Sequence, residues 1–352
     1  MSEDVRTPGC GLDVGTMFLV GSRADGDTIK YTSQRNCFLT IDEGDDVEEM
    51  LTSAGAKIVR INNKLNVLGE DAIVFSNLLT SFGADKASLK RPMKDGLLNS
   101  QEEKSAISVL TALVSGVVGK PQVPGETCVF SCPSNPLNSE KTNTFHSAMF
   151  KQILSKLGYT PLTLNEGLAV IYAENPKMGE GADTMPMSGI AMSLGAGQVN
   201  VCMAVRGYPV IEFSLVGSGD HIDKQVSVLS GQPVSIVTKI KETKLDFQNV
   251  DYGDMVIAGL DIHYTDLLTN IVKGFVDKFS ESGKVYEHPI EIVVTGGTAK
   301  PNGFAQKLQS VVDDTALPFK VKEIKMSSDL LNTVSKGCLV RALREEKKRS
   351  KI

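Results

Sequence analysis

The chain has 352 residues, which is enough for two ordinary domains of about 100 to 200 residues each. Apolar residues make up 41% of it, charged residues 22%, and the formal net charge is -5; this composition is typical of a globular protein and argues against nucleic acid as a direct partner. No stretch reaches the roughly 20 apolar residues of a membrane span, and the first residues lack the regions of a signal peptide, so we expect a cytoplasmic protein without a transmembrane segment.

The six cysteines and four histidines show no ligand spacing. Cys128 and Cys132 are the closest pair of cysteines, and they lie in a strand-like run without a matching His or Cys pair nearby. We therefore interpret all six as buried reduced thiols. This argues against a metalloenzyme and against a Cys or His nucleophile.

The first 41 residues predict an antiparallel meander. Strand signals run over residues 9–15, 17–24 and 29–41, and an Asp-Gly pair between the last two is typical of a hairpin turn. The acidic segment 42–49 that follows is expected to be a loop. The elements from there to residue 95 stay unassigned.

Strands and helices alternate in the middle of the chain. One helix is predicted near residues 105–120, where a single helical stripe holds Ile107, Leu110, Leu113, Val114, Val117 and Val118. A strand follows at 127–133. The next helix is expected to begin at a cap formed by Asn138, to end at Gly158, and to repeat apolar side chains at Phe145, Met149, Ile153 and Leu157. This alternation predicts an α/β sheet.

The second half repeats the opening pattern of strand, glycine turn and hairpin. The pattern occurs at about residues 9–24 and again at 188–216, which indicates an internal pseudo-repeat. A buried strand that starts at Ile290 also ends in two glycines. Helices are predicted at 219–230, 233–245, 262–279 and about 327–348.

Three buried strands thus end in glycine turns. The first turn reads GLDVGTMF and has Asp13 at the strand end, the second reads SLGAGQVN, and the third reads VVTGGTAKPNGF. Backbone N–H groups in such turns bind phosphate, and a carboxylate at the position of Asp13 would face a cation that accompanies the phosphates. Each turn alone is also compatible with an ordinary surface turn, whereas three turns at three strand ends indicate a nucleotide site.

These motifs resemble those of the actin superfamily, and more closely its prokaryotic members of the MreB, MamK and ParM type. GLDVGT is similar to the family's first phosphate motif, SLGAGQVNV to its second, and VVTGGTAKPNGF to its adenosine motif. LNEGLAVIYAE resembles the segment that connects the two domains, and KIKETKLDF resembles the helix that reaches the nucleoside. RPMKDGLL and VGSGDHID also resemble family signatures. The resemblance covers nearly the whole chain.

The resemblance implies roles for individual residues. Asp13 would bind magnesium through water, and Glu166 would orient the attacking water, so these two are the candidate catalytic residues. Lys241 and Glu242 would contact the ribose and base. The full set implied to bind the nucleotide is Gly15, Thr16, Met17, Gly195, Ala196, Gly197, Gln198, Gly219, Lys241, Glu242, Gly296, Gly297 and Thr298. For Glu166 the alternative is an acid that the helix dipole favours in a first turn.

Two positions depart from the family pattern. Where the bacterial members usually carry aspartate, this chain has Ser193 and Asn200. One carboxylate about 5 Å from a divalent ion is worth on the order of several kcal/mol at an effective dielectric constant near 20. We therefore expect weaker magnesium binding and slow hydrolysis, with nucleotide binding retained. If Ser193 faces the metal, an aspartate at that position should tighten magnesium binding.

The resemblance also implies a fold, the two-domain α/β fold shared by actin, the heat-shock chaperone ATPases and the sugar kinases, with a central nucleotide cleft. Domain I would comprise residues 1–160 and 327–352, with a small subdomain at about 40–92. Domain II would comprise residues 161–326, with a small subdomain at about 217–260.

The favoured function is an actin-like cytoskeletal protein that binds ATP or ADP with magnesium, polymerises with itself into filaments and hydrolyses ATP slowly. The sequence does not distinguish ATP from GTP, and it does not indicate an adaptor protein. One alternative is a non-polymerising nucleotide switch or chaperone-like ATPase of the same superfamily. Another is a small-molecule kinase, although no residue has the place of a kinase's catalytic base.

Overall fold

The computed structural model describes residues 8–41, 45–81, 89–99, 105–174, 188–283, 286, 288–315 and 317–350. The chain divides into two units. The first unit comprises residues 1–130, 144–163 and 341–352, and the second comprises residues 131–143 and 164–340. The domain boundaries that the resemblance implies, at residues 160 and 327, remain predictions.

Strands form the layers that carry the glycine turns. In chain order they are β1 Cys10–Val14, β2 Phe18–Asp25, β3 Thr28–Arg35, β4 Phe38–Ile41, β5 Ile58–Ile61, β6 Lys64–Leu68, β7 Met93–Lys94, β8 Leu97–Leu98, β9 Thr127–Cys132, β10 Thr160–Asn165, β11 Gly189–Leu194, β12 Gln198–Val205, β13 Tyr208–Val216, β14 Ile290–Thr295 and β15 Val321–Met326.

Helices connect these strands. In chain order they are α1 Asp45–Ser53, α2 Gly69–Ser81, α3 Ala106–Val118, α4 Thr144–Lys156, α5 Glu166–Ala173, α6 Gly219–Ser230, α7 Val234–Thr243, α8 Met255–Glu281, α9 Phe304–Asp313 and α10 Thr333–Arg349, with a short 3-10 helix at Gly297–Ala299. No helix of the described residues is long and apolar enough to span a membrane.

The two five-stranded sheets have the same topology. The first has the strand order β10-β9-β1-β2-β3, and the second has the order β15-β14-β11-β12-β13. In each, the central strand pairs antiparallel with the first strand of a hairpin and parallel with a strand that follows a helix. Strands β1 and β11 therefore occupy equivalent places, each followed by a glycine turn, and the predicted pseudo-repeat is confirmed.

The core of the second unit is built on the apolar stripe of α8. Its buried side chains include Leu268, Ile271, Val272, Phe275 and Phe279, which recur at helical spacing. Strand β11 is buried along its whole length, and β14 is buried except for Glu291. All six cysteines of the chain are buried and reduced, as predicted.

A smaller three-stranded sheet, in the order β4-β6-β5, packs against α1 and α2. The core between this sheet and the two helices consists of Cys37, Leu39, Leu51, Val67 and Ala72. The acidic segment predicted as a loop contributes the start of α1 from Asp45, whereas residues 42–44 lie outside the described part of the chain. Residues 45–49 are therefore helical, and the loop prediction is wrong for that part of the segment.

Helices α4 and α10 begin later than predicted. The expected cap, Asn138, instead pairs with Val216: its amide donates to Val216 O at 2.9 Å and accepts from Val216 N at 2.9 Å. Helix α10 begins at Thr333 because a turn precedes it, in which the Asp329 carboxylate accepts from the backbone N–H of Leu331 at 3.1 Å. Asn138 thus binds the end of β13 and not the start of α4, and Asp329 caps the turn that precedes α10.

The buried face of α4 matches the predicted stripe only in part: Ile153 is buried as predicted. Phe145 is 49% exposed, whereas His146 and Phe150 are buried. His146 is 2% exposed, its ring centroid lies 4.8 Å from that of Phe150, and neither of its ring nitrogens has a hydrogen-bond partner among the described residues. Burial lowers the pKa of His146 to about 4.

We expect acid to destabilise the protein through His146. The unfolded imidazole, with a pKa near 6.5, takes up its proton before the buried one, so stability falls as pH drops from 6.5 towards 4. The full shift corresponds to about 3 kcal/mol. Between pH 7 and pH 4.5 the melting temperature of His146→Leu should therefore fall less than that of the parent. An equal fall in both proteins would contradict this assignment.

Candidate functional site

The second glycine turn, which joins β11 to β12, is bound to the loop that follows β13. Ala196 O accepts from Asp220 N at 2.8 Å, and Gly197 O accepts from Gly217 N at 3.3 Å. Gly195 N donates back across the turn to the first residue of β12 at 3.0 Å. The carbonyl groups of Ala196 and Gly197 thus face the protein, which suits a turn that offers N–H donors to an anion.

Two buried side chains beside this turn lack hydrogen-bond partners among the described residues. Gln198 is 4% exposed, and neither its amide oxygen nor its amide nitrogen is bonded. Ser218 is fully buried, and its Oγ is likewise without a partner there. Because an unpaired buried polar group costs about 1–3 kcal/mol, such groups are typical of a site that a polar ligand completes. Their N–H and O–H donors fit phosphate oxygens.

The third glycine turn packs directly on the second. Thr298 Oγ1 donates to Gly195 O at 2.8 Å, and a Cβ on Gly219 would lie 2.4 Å from the same Oγ1. Gly296 has a φ of +102°, and a Cβ there would lie 2.2 Å from Leu194 O. Glycine is therefore required at Gly296 by backbone conformation and close approach, whereas a side chain at Gly219 would displace the Thr298 hydroxyl.

Lys241, on α7, lies in a buried ion pair. Its Nζ donates to Asp223 Oδ2 at 2.8 Å and to Gly219 O at 3.2 Å, and Thr238 Oγ1 donates to the same carboxylate oxygen at 2.8 Å. Burial raises the pKa of Asp223, an effect that the Lys241 ammonium opposes. The other oxygen, Oδ1, is buried and without a partner among the described residues. Glu242, next to Lys241 in sequence, is exposed.

Glu166 begins α5, which is capped by Asn165: its Oδ1 accepts from Leu168 N at 3.1 Å. Glu166 Oε2 accepts a hydrogen bond from Asn200 Nδ2 at 2.9 Å and lies 3.4 Å from Ser193 Oγ. Ser193 and Asn200 are direct partners across β11 and β12, and both are buried. The two residues that stand in place of the usual acids therefore both contact Glu166.

The first glycine turn belongs to the other unit. Gly15 N donates to Phe18 O at 3.0 Å, and a Cβ on Gly15 would lie 2.6 Å from that oxygen, so the turn requires glycine. Asn36 supports the turn from β3's end: its Nδ2 donates to Gly15 O at 2.9 Å and its backbone N donates to Met17 O at 2.9 Å. Asp13 is half-buried near the end of β1.

Thr16 contacts the segment RPMKDGLL. The threonine is 5% exposed, and its Oγ1 accepts from Gly96 N at 3.1 Å. Within the described part of the chain, no group of three or more His, Cys, Asp or Glu side chains could hold a metal ion. A cation at Asp13 would therefore need water or phosphate oxygens for its other ligands.

The structure brings together most of the predicted residues of the second unit. Gly195, Gly219, Thr298 and Lys241 are joined by the contacts above, and Gly297 begins the short 3-10 helix that contains Thr298. Glu242 is not part of this group. The sequence did not identify Ser218 and Asp223 as individual site residues. Both lie in the segment VGSGDHID, whose resemblance to a family signature was the available signal.

Comparison with solved structures shows three similar folds. The MamK double helical filament gives a TM-score of 0.66 at 15% identity, covering 95% of this chain and 98% of that one. MreB 5 of Spiroplasma citri bound to AMPPNP gives 0.63 at 15% identity and covers 99% of both chains. The ethanolamine utilization protein EutJ from Carboxydothermus hydrogenoformans gives 0.52 at 16% identity, covering 94% of this chain and 89% of that one. The predicted actin-like α/β fold is thereby confirmed.

No curated protein matches the sequence. The volactin family model matches residues 9–342, a range that includes all three glycine turns, Glu166 on α5 and the Lys241 ion pair. A match over nearly the whole chain shows the family as well as the fold. The chain belongs to the volactin family.

Proposed function

We propose that this protein is an actin-like cytoskeletal ATPase that binds ATP with magnesium, polymerises into filaments and hydrolyses ATP slowly. The observation that carries the proposal is the pair of buried side chains without partners among the described residues, Gln198 and Ser218, beside a glycine turn of the actin-like kind. Phosphate oxygens accept hydrogen bonds only, and both side chains have donors to offer. In this proposal the protein is cytoplasmic, as expected for a cytoskeletal filament.

The similar structures support this proposal through what they contain. MamK is described as a double helical filament, and MreB 5 was solved with AMPPNP and also with ADP. At 15% identity these similarities establish the fold, and nucleotide binding and assembly are our inference for this chain.

Each predicted residue has a role in this proposal. The turn formed by Gly195, Ala196, Gly197 and Gln198 binds phosphate oxygens, and the turn that contains Gly15, Thr16 and Met17 is also assigned to phosphate. Lys241 and Gly219 face the nucleoside together with Gly296, Gly297 and Thr298, and Glu242 contacts it from the exposed side of α7.

Hydrolysis needs a group that orients water at the terminal phosphate. Magnesium, when bound through water at Asp13, supplies positive charge that offsets the charge of the phosphates. Glu166 accepts a hydrogen bond from the attacking water and so fixes the direction of attack. Because residues 193 and 200 are neutral, Asp13 is the carboxylate that this proposal assigns to the cation.

Assembly follows from a head-to-tail contact between identical subunits, because such a contact does not close and extends into a filament. Nucleotide controls assembly if the polymer and the free subunit bind ATP and ADP with different affinities. Sedimentation with ATP against ADP, followed by electron microscopy of the pellet, tests both statements. Pelletable filaments with ATP and magnesium are expected. A protein that binds ATP and stays monomeric across salt, magnesium and protein concentration would support the non-polymerising switch instead.

Asp13→Ala should weaken magnesium-dependent ATP binding. Removing one charge near a divalent ion costs at least about 1.4 kcal/mol, which is about tenfold in Kd. Calorimetry should show this loss with magnesium and little change in its absence. Asp25→Ala, at an exposed hairpin acid of the same unit, is the matched control. Equal affinity of Asp13→Ala and the parent in magnesium would remove Asp13 from the site.

A further inference from the structure

The buried amide of Asn200 is bonded at both ends. Its Oδ1 accepts from the backbone N of Ser134 at 3.2 Å, and its Nδ2 donates to Glu166 Oε2 at 2.9 Å. A backbone N–H can only donate, so the oxygen end of the amide must face Ser134. The nitrogen end therefore faces Glu166, and this orientation follows from the bonding pattern.

The same bonds form a closed circuit around the start of α5. Asn165, which caps this helix, donates from Nδ2 to Ser134 Oγ at 2.7 Å, and Ser134 N donates to Asn200. Asn200 in turn donates to Glu166, the residue that follows the cap. Asn200 is 1% exposed, so water does not compete for its bonds. The circuit holds the Glu166 side chain relative to the backbone of its own helix.

An aspartate at position 200 would have the shape of asparagine but would repel the Glu166 carboxylate instead of donating to it. It would keep an acceptor for Ser134 N, but it would present a second carboxylate to Glu166 at hydrogen-bond distance. Two carboxylates at hydrogen-bond distance share one proton near neutral pH, and they repel each other once both are ionised. The asparagine avoids this repulsion and supplies a donor in its place.

We propose that Asn200 is a positioning residue that holds the Glu166 carboxylate in place for the attacking water, with a weaker contribution from the Ser193 hydroxyl. This inference rests on the function proposed above. The Asn200 amide and the Ser193 hydroxyl therefore do not bind the metal in place of the aspartates that the bacterial relatives carry. They bind Glu166, and an acid at either position should impair turnover instead of restoring it.

The test compares Asn200→Asp with the parent and with Asn249→Asp, the same substitution at an exposed position of the same unit. For Asn200→Asp we expect kcat to fall at least about 10-fold at pH 8, with the Kd for ATP changed less than about 3-fold. The loss should grow as pH rises, because the shared proton leaves and the two carboxylates repel each other. Ser193→Asp should change kcat in the same direction.

Melting of the nucleotide-free protein tests the hydrogen bond independently of any activity. In Asn200→Asp the folded pair keeps its proton to higher pH than the unfolded chain does, so its melting temperature should fall relative to the parent as pH rises from about 4. In the double variant Glu166→Gln with Asn200→Asp, the hydrogen bond is restored in the reverse direction, because the amide at position 166 donates and the carboxylate at position 200 accepts. The double variant should recover the parent's melting temperature.

The outcomes separate this inference from the proposed function. If the parent neither binds nor hydrolyses ATP, the proposed function fails, while the melting series still decides whether Asn200 bonds to Glu166. If Asn200→Asp binds magnesium more tightly and turns over ATP at least as fast as the parent at every pH, position 200 faces the metal and the inference is overturned. A pH-independent melting difference in Asn200→Asp would also overturn it.

Discussion

Replacing Gly337 with alanine should destabilise the second unit by about 3 kcal/mol or more. A Cβ on Gly337 would lie 1.8 Å from the carbonyl oxygen of Ala169 and 2.5 Å from its carbonyl carbon. Both atoms belong to the backbone of α5, so no side-chain rotation can relieve the overlap, and α10 must move away from α5. Overpacking of this kind costs about 1–3 kcal/mol when side chains can adjust, and more when they cannot.

Urea unfolding of Gly337→Ala against the parent measures this effect. Gly274→Ala is the matched control, because it changes a helical glycine of the same unit whose added Cβ would meet only side-chain atoms, the nearest at 3.4 Å. That control should be neutral or slightly stabilising, since alanine favours the helix by up to about 1 kcal/mol. Equal midpoints for Gly337→Ala and the parent would mean that the two helices do not approach as closely as described.

The same variant should also disturb the site. Helix α5 is packed on its other side against β12, where a Cβ on Gly167 would lie 2.6 Å from the Cβ of Cys202. The helix therefore cannot shift towards the sheet when α10 presses on it. Because Glu166 begins this helix, any tilt forced by the added methyl group moves the carboxylate. We expect turnover per folded molecule to fall along with stability.

Glu166→Ala should lower turnover by about 10²-fold or more and spare ATP binding. The structure holds this carboxylate beside β12 through Asn200, and a positioned group that orients or deprotonates water contributes about 10²–10⁴ to the rate. Because this interaction operates in the reaction and not in binding, kcat should change far more than the affinity.

Single-turnover hydrolysis measures the rate of the chemical step, and equilibrium binding measures the affinity for ATP, so the two experiments together separate these effects. Glu281→Ala removes an exposed acid of the same unit that pairs with Lys278, and it should leave both unchanged because exposed pairs contribute little. Glu166→Ala also leaves the Asn200 amide without its acceptor, which should cost about 1 kcal/mol of stability. Unchanged turnover would return Glu166 to the alternative of a helix-start acid favoured by the dipole.

Several features of the fold could be predicted from sequence because their causes are local. The apolar stripe of α8 recurs every three or four residues, and the buried strand β11 is a short apolar run bounded by glycines. The turns after β1 and β14 need glycine for their own backbone geometry or for very close neighbours, so the glycines mark them directly. The repeat of strand, turn and hairpin is visible for the same reason.

Helix α4 shows where local patterns are insufficient. By polarity alone, Phe145 and Met149 fit an apolar stripe better than His146 and Phe150 do, because histidine is polar. In the structure Phe145 is nevertheless exposed and His146 is buried. The buried face was decided by the neighbouring sheet: Phe150 stacks on Phe130 of β9, with 5.8 Å between ring centroids. An imidazole without hydrogen-bond partners among the described residues was accepted there as part of the packing.

The sequence by itself determined the α/β class and the position of the glycine turns, because motifs and periodicity are properties of neighbouring residues. The resemblance of those motifs to the actin superfamily then implied the actin-like fold and Glu166 as a candidate. Only the tertiary structure decided what Ser193 and Asn200 contact. Glu166 lies on a helix and those two residues lie on separate strands, so their bonds exist only after β11, β12 and α5 pack together. A hydrogen bond of this kind depends on distance and direction between distant segments, and the order of residues along the chain specifies neither.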